Sequence, residues 1–151
     1  MLNTISPYQE NVHDKLVDIW YRAVCLTHTF LEEKDIEFYH QMLQNGALKE
    51  VEIWVDFNEN KEPTGFIGLD RSKIEMLFVD TNYHGKGIGS RLIRHAEKIK
   101  GSPLQVDVNE QNDRACGFYK KFGFVQTGRS ELDSSGQPFP LLHLEYKAPA
   151  Q

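Results

Sequence analysis

Phe78-Val79-Asp80-Thr81-Asn82-Tyr83-His84-Gly85-Lys86-Gly87-Ile88-Gly89-Ser90 is the stretch on which the reading of this chain turns. A β-like run ends at Asp80, a short polar turn follows, and a glycine-punctuated loop opens a helix. Glycines at every second position (85, 87 and 89) strip side chains from a strand-to-helix turn. Main-chain N–H groups there are free to converge on one ligand, with the positive end of the helix dipole behind them. That arrangement suits a phosphate or pyrophosphate. The spacing excludes two common phosphate loops. A dinucleotide fingerprint starting at Gly85 needs glycine at 90, where Ser90 stands, and one starting at Gly87 needs it at 92, where Leu92 stands. A P-loop needs Ser or Thr after Gly-Lys, and Gly85-Lys86 is followed by Gly87.

Working outward, the element order reads β-α-α-β-β-β-α-β-α-β-β. Leu2 to Ser6 is a short first strand. Glu10 to Val24 is an amphipathic helix with Val12, Leu16, Ile19, Trp20 and Val24 on its apolar face. Cys25 to Leu31 breaks the periodicity. A second helix runs from Glu32 to Leu48 on Ile36, Tyr39, Met42 and Leu43, with Asn45-Gly46 as a stop signal. Glu52–Phe57 and Thr64–Leu69 form a hairpin, and Lys73–Asp80 is a third strand. After the glycine loop, Gly87–Lys100 is helical on Ile88, Leu92, Ile93, Ala96 and Ile99. Leu104–Asn109 is a strand, Asn112–Phe122 a helix, and Phe124–Gly128 and Leu141–Tyr146 the last strands. Strands and helices do not alternate strictly, so the class is α+β and a doubly wound sheet is disfavoured.

Length and composition fit one soluble domain over residues 1–151. The chain has 151 residues, 40% hydrophobic and 26% charged. A net charge of −5 argues against nucleic acid as a partner. The bases that do group (Lys86, Arg91, Arg94, Lys98, Lys100) suit a small anion, and Lys86 and Arg91 are placed to add charge near phosphates. Cys25 and Cys116 lack metal-ligand spacing and read as reduced core residues. No long apolar run predicts a membrane span or a leader, so the expected location is cytoplasmic.

A second motif lies downstream: Asn112-Asp113-Arg114-Ala115-Cys116-Gly117-Phe118-Tyr119-Lys120-Lys121-Phe122-Gly123-Phe124. The run from His84 to Gly89 resembles the pyrophosphate-binding loop of the GNAT superfamily of N-acetyltransferases, Arg/Gln-x-x-Gly-x-Gly/Ala. The second run is similar to that family's Asn-x-x-Ala-x-x-Phe/Leu-Tyr-x-x-x-Gly-Phe. His84 departs from the pattern, at a position that works largely through its main chain.

The resemblance implies a mixed, mostly antiparallel sheet with splayed central strands flanked by helices. It implies acetyl-CoA as donor, CoA as product and no metal. His84, Gly85, Lys86, Gly87, Ile88, Gly89 and Ser90 would hold the pyrophosphate. Leu77, Phe78 and Val79 would offer main-chain groups to the pantetheine arm and the thioester, beside a bulge that the family's strand carries. Asn112 would contact the arm or cap its helix. Tyr119 is the expected general acid for the CoA thiolate: a phenol is protonated at neutral pH and can donate as the thiolate forms. Glu75 is the first candidate for the base, His143 the second and His28 the third. The acceptor, an amine of a small molecule or a protein, is expected between His28 and Phe30 on one side and the segment from Ser130 to His143 on the other. Glu131 and Asp133 in that segment could attract a cation. A homodimer is compatible with the family. A non-catalytic acyl-CoA-binding module is the alternative, and it would need neither Tyr119 nor Glu75.

Overall fold

The protein is described by a computed structural model covering residues 3–27 and 31–148. The expected contacts of His28 and Phe30 lie outside these residues. The strands are β1 (Thr4–Pro7), β2 (Glu52–Phe57), β3 (Pro63–Asp70), β4 (Lys73–Val79), β5 (Leu104–Asn109), β6 (Val125–Ser130) and β7 (Leu141–Tyr146). The helices are α1 (His13–Thr27), α2 (Glu33–Gln44), α3 (Ile88–Lys100) and α4 (Asp113–Phe122). The strands form one sheet in the order β1-β2-β3-β4-β5-β7-β6. Among the described residues only β4 and β5 pair in parallel, and α3 makes the crossover that a parallel pair requires.

Several boundaries move from their expected places. The first helix begins as a 3-10 turn over Glu10–Val12 and continues through Thr27; no Gly or Pro interrupts residues 25–27, so the helix outlasts its buried face. Cys25 is consequently exposed, while Cys116 is buried, and both are free thiols. The second helix stops at Gln44, where Gly46 takes φ +103°, and a 3-10 turn (Ala47–Glu50) follows. Met42, expected in its buried stripe, is 42% exposed.

Each face of the sheet carries its own core. α3 and α4 press Ile88, Leu92, Ile93, Ala96, Cys116 and Tyr119 onto Ile67, Leu69, Ile74 and Val106. On the opposite face, α1 and α2 press Leu16, Ile19, Trp20 and Leu43 onto Ile53, Val55 and Phe66. Among the described residues no helix is long and apolar enough to cross a membrane.

Two irregularities in the sheet prepare the site. β4 and β5 pair only at Lys73–Gln105 and Ile74–Val106, then part. Within β4, Ile74 lies opposite Leu69 and Met76 opposite Gly68, so Glu75 is an inserted bulge residue. The bulge inverts the alternation of the strand. Ile74, Leu77 and Val79 belong to the α3/α4 core, whereas Met76 and Phe78 pack on the α1/α2 side.

Candidate active site

The splay between β4 and β5 opens a cleft of about 280 Å³ on the α3/α4 side. Its lining brings together Leu77, Phe78 and Val79 from β4, His84, Gly85, Gly87, Ile88, Gly89 and Ser90 from the glycine loop, and Asn112 and Tyr119 from α4. Ala23, Tyr83, Arg114, Ala115 and Phe118 complete it. Lys86, the remaining residue of the loop, is exposed and outside this lining.

Local chemistry explains the shape of the loop. Gly87 caps α3 at φ +78°, a left-handed conformation that costs little only for glycine. No side chain caps this helix. Its first internal bond runs from Arg91 N–H to Gly87 C=O at 3.0 Å. The N–H groups of residues 88–90 therefore lack intrahelical acceptors and remain available to an anion. At Gly89 close approach is the constraint, since a Cβ there would sit 3.0 Å from the Phe118 ring. The His84 ring turns back onto β4, with Nε2 3.2 Å from the Val79 carbonyl oxygen.

An ion pair that the sequence did not announce anchors the loop. Arg22 of α1 makes two parallel bonds to Asp80, at 2.8 and 2.9 Å. Asp80 also accepts from Asn82 N–H at 2.9 Å, capping the 3-10 turn Thr81–Tyr83. The Arg22 hydrogen bond is the main reason the Asp80 carboxyl is held below the usual carboxylate range, and it outweighs burial. A depressed carboxylate adds stability that is complete above its unfolded-state pKa and is lost as pH falls through the folded value. Asp80→Asn should therefore lower stability at pH 7 by about 1–2 kcal/mol, a figure reduced for the partial exposure of Arg22. It should also flatten the loss of stability below about pH 4. Urea denaturation from pH 3 to 7 measures both.

Arg91 lies elsewhere than expected. Its guanidinium bonds Asp56 Oδ1 at 2.9 and 3.3 Å, toward β2. The basic group around it is likewise dispersed: Lys100 pairs with Glu52 and Arg94 stacks over Phe122.

Tyr119 is 6% exposed, with its ring edge-on to Phe118 and Phe124. A phenol is protonated at neutral pH, and burial pushes this one further above the ordinary tyrosine value. Asn112 caps α4, accepting from Ala115 N–H at 3.1 Å, and lines the cleft as well.

A second cavity, of about 370 Å³, lies on the α1/α2 side. Trp20, Leu31, Tyr39, Met42 and Phe139 give it apolar walls, and Glu50, Glu75, Asp107 and Asp133 give it carboxylates. Phe78 lines both cavities. The Tyr39 hydroxyl donates to Asp133, tying α2 to the loop between β6 and β7. Of the other expected acceptor residues, Glu131 is exposed and paired with Arg129. His143 belongs to the lining of neither cavity. Both its ring nitrogens are engaged at 2.6 Å, Nδ1 with Asp107 and Nε2 with Ser130, which leaves no free nitrogen to act as a base.

A family model for the acetyltransferase (GNAT) domain matches residues 21–140. The chain is 42% identical over 149 residues to the peptidyl-lysine N-acetyltransferase YjaB of Escherichia coli K12, covering 97% of this chain and 98% of that one. The solution structure of apo-form YjaB from Escherichia coli superposes with a TM-score of 0.90 at 40% identity, covering 97% of this chain and 98% of that one. The PaiA N-acetyltransferase of Thermoplasma acidophilum, solved in complex with coenzyme A, shares the fold at a TM-score of 0.80 and 21% identity, over 98% of this chain and all of that one. With its splayed strands, glycine loop and second motif, the chain belongs to the GNAT family and is an N-acetyltransferase.

Proposed function

We propose that the protein transfers the acetyl group of acetyl-CoA to the ε-amine of a lysine in a protein, by direct attack in a ternary complex. The observation that carries this reading is the pair of cavities on opposite faces of one sheet, with Phe78 of the splayed strand lining both. Donor and acceptor can then approach the same stretch of backbone from two sides. A cavity with apolar walls and carboxylates suits an aliphatic stem ending in an ammonium. The name of the 42% identical relative points the same way.

In this reading the pyrophosphate lies against the N–H groups of residues 88–90, with Arg114 adding charge. The pantetheine arm runs along Leu77–Val79, whose main chain faces the gap left by β5. The amine nitrogen attacks the thioester carbonyl carbon, and the C–S bond breaks. Tyr119 gives its phenolic proton to the departing sulfur. Glu75, on the cavity side of the bulge, takes the proton that the amine loses, directly or through water.

The test is thiol release from acetyl-CoA in the presence of lysine peptides, peptides with free α-amines, and polyamines, with mass spectrometry locating the acetyl group. Turnover confined to ε-amines is the expected result. Turnover on polyamines alone would overturn the acceptor class, and acetyl-CoA binding without turnover would leave a binding module. The donor side has its own check. Gly87→Val forces a β-branched residue to φ +78°. It should raise the Kd for acetyl-CoA about tenfold or more, by calorimetry at a temperature where the variant is folded, and lower stability by about 1–3 kcal/mol of backbone strain.

A further inference from the structure

A chain of polar contacts crosses four neighbouring strands on the α1/α2 face and ends beside Glu75. Ser130 on β6 meets His143 on β7 at 2.6 Å, and His143 meets Asp107 on β5 at 2.6 Å. The other oxygen of Asp107 lies 2.8 Å from Lys73 Nζ on β4. Lys73 Nζ is also 3.8 Å from Glu75 Oε1. Because a carboxylate only accepts, His143 donates from Nδ1, and the contact between Nε2 and the Ser130 hydroxyl holds the far side of the ring. Both Asp107 oxygens are then engaged, and its orientation is fixed from the far side.

The sheet is built to allow this row. His143 stands opposite Asp107 on one side and Gly128 on the other. A Cβ on Gly128 would come 3.3 Å from the His143 ring. Thr127 is an inserted residue between Gln126, opposite Leu144, and Gly128, opposite His143. That insertion turns Gly128 and Ser130 onto the His143 face, as the bulge in β4 turns Glu75 and Met76 onto the cavity face. Burial would raise the Asp107 carboxyl, but the hydrogen bonds from Lys73 and His143 outweigh it and hold it below its usual range. The same contact with Asp107 raises the Lys73 ammonium.

Lys73 therefore has two carboxylates within reach and is in hydrogen-bond contact with only one. We propose that Asp107, oriented by His143 and Ser130, restrains Lys73 from closing on Glu75 and so keeps the Glu75 carboxylate open to the acceptor amine. This rests on Glu75 being the base. Asp107, His143 and Ser130 are positioning residues in this scheme. If Asp107 loses its charge, the nearest partner for the Lys73 ammonium is Glu75, and a contact ion pair there competes with the substrate's ammonium for the same oxygen.

The experiment is a rescue. Asp107→Asn should lower kcat/KM for the amine acceptor about tenfold or more, with the Kd for acetyl-CoA unchanged. Adding Lys73→Met in the Asp107→Asn background should recover most of that loss, since the ammonium that blocks Glu75 is gone. A purely structural role for Asp107 would make the double variant no better than the single. His143→Gln, with and without Lys73→Met, repeats the cycle with an intact carboxylate and should show the same pattern with smaller amplitude; it decides the matter if Asp107→Asn does not fold. Glu75→Gln separates the role of the base from the restraint on Lys73. Full activity in Glu75→Gln overturns the base assignment and this inference with it. Inactive Glu75→Gln with no rescue by Lys73→Met overturns the restraint alone.

Discussion

Tyr119→Phe is expected to lower kcat by about a hundredfold or more while leaving the Kd for acetyl-CoA within about twofold of the parent. The substitution removes one oxygen and keeps the ring. The ring is the part that packs against Phe118 and Phe124 and fills the α3/α4 core, so folding and the shape of the cleft are retained. What disappears is the phenolic proton of a residue that lines the cleft. A raised phenol pKa makes a weaker acid in water. In the proposed mechanism the thiolate that accepts the proton forms in the same cleft, where desolvation raises its own proton affinity as well. Stopped-flow thiol release with saturating acetyl-CoA and acceptor measures the effect on the chemical step. A kcat within threefold of the parent would remove Tyr119 from the acid role and leave protonation of the leaving group to solvent.

Most of the lining of the first cleft comes from two contiguous runs, so its assembly was legible in the sequence. Residues 84–90 and 112–124 each carry their own local chemistry, positive-φ glycines in one and a capped helix with an aromatic face in the other. The splay brings the two runs to one cleft without rearranging either. Arg22 with Asp80, 58 positions apart, and Arg91 with Asp56, 35 apart, carry no such signature. Each partner alone looks like an ordinary surface charge, and only the packing of α1 and α3 on the sheet pairs them. The bulge in β4 was expected from the resemblance alone, and its place at Glu75 was not legible in the residues. A strand with one inserted residue has no compositional mark, and its effect exists only in register with β3. The acceptor side follows suit: Glu75, Asp107 and Asp133 converge from three separate segments, so only Glu75 and Asp133 stood out beforehand, each for its place in a segment rather than for its neighbours.

These two kinds of residue divide the labour. The glycine loop offers main-chain donors that any side chain would obstruct, so its specificity lies in what is missing. The loop must then be held rigidly by other parts, because glycines do not hold themselves. Arg22–Asp80 fixes its entry, Asp80 N–H to Thr64 C=O at 2.8 Å ties that entry to β3, and Asn58 donates to the Tyr83 hydroxyl at 3.0 Å. The glycine loop is therefore supported by α1 and the β2–β3 hairpin, which contribute little to the lining of the cleft.

Arg91→Met tests that division, because the residue sits next to the glycine loop yet faces away from it. Asp56 is fully buried. Its Oδ2 accepts from Asn3 at 2.9 Å and from Thr64 at 2.5 Å, and its Oδ1 accepts from Arg91. Removing the guanidinium leaves a buried carboxylate with neutral donors on one oxygen and no countercharge. Breaking such a pair from one side costs about 3–5 kcal/mol when both partners are buried. Arg91 is 41% exposed, and water can partly replace it, so about 1–3 kcal/mol is expected here. Acetyl-CoA affinity should change by less than about threefold at a temperature where the variant is folded. The double variant Asp56→Asn/Arg91→Met should regain part of the loss, since an amide needs no countercharge and can still accept from Asn3 or Thr64. Urea denaturation of the three proteins beside acetyl-CoA titrations reads both effects. A stable Arg91→Met with a tenfold weaker Kd would return Arg91 to the phosphates and show that the Asp56 pair gives way when the donor binds.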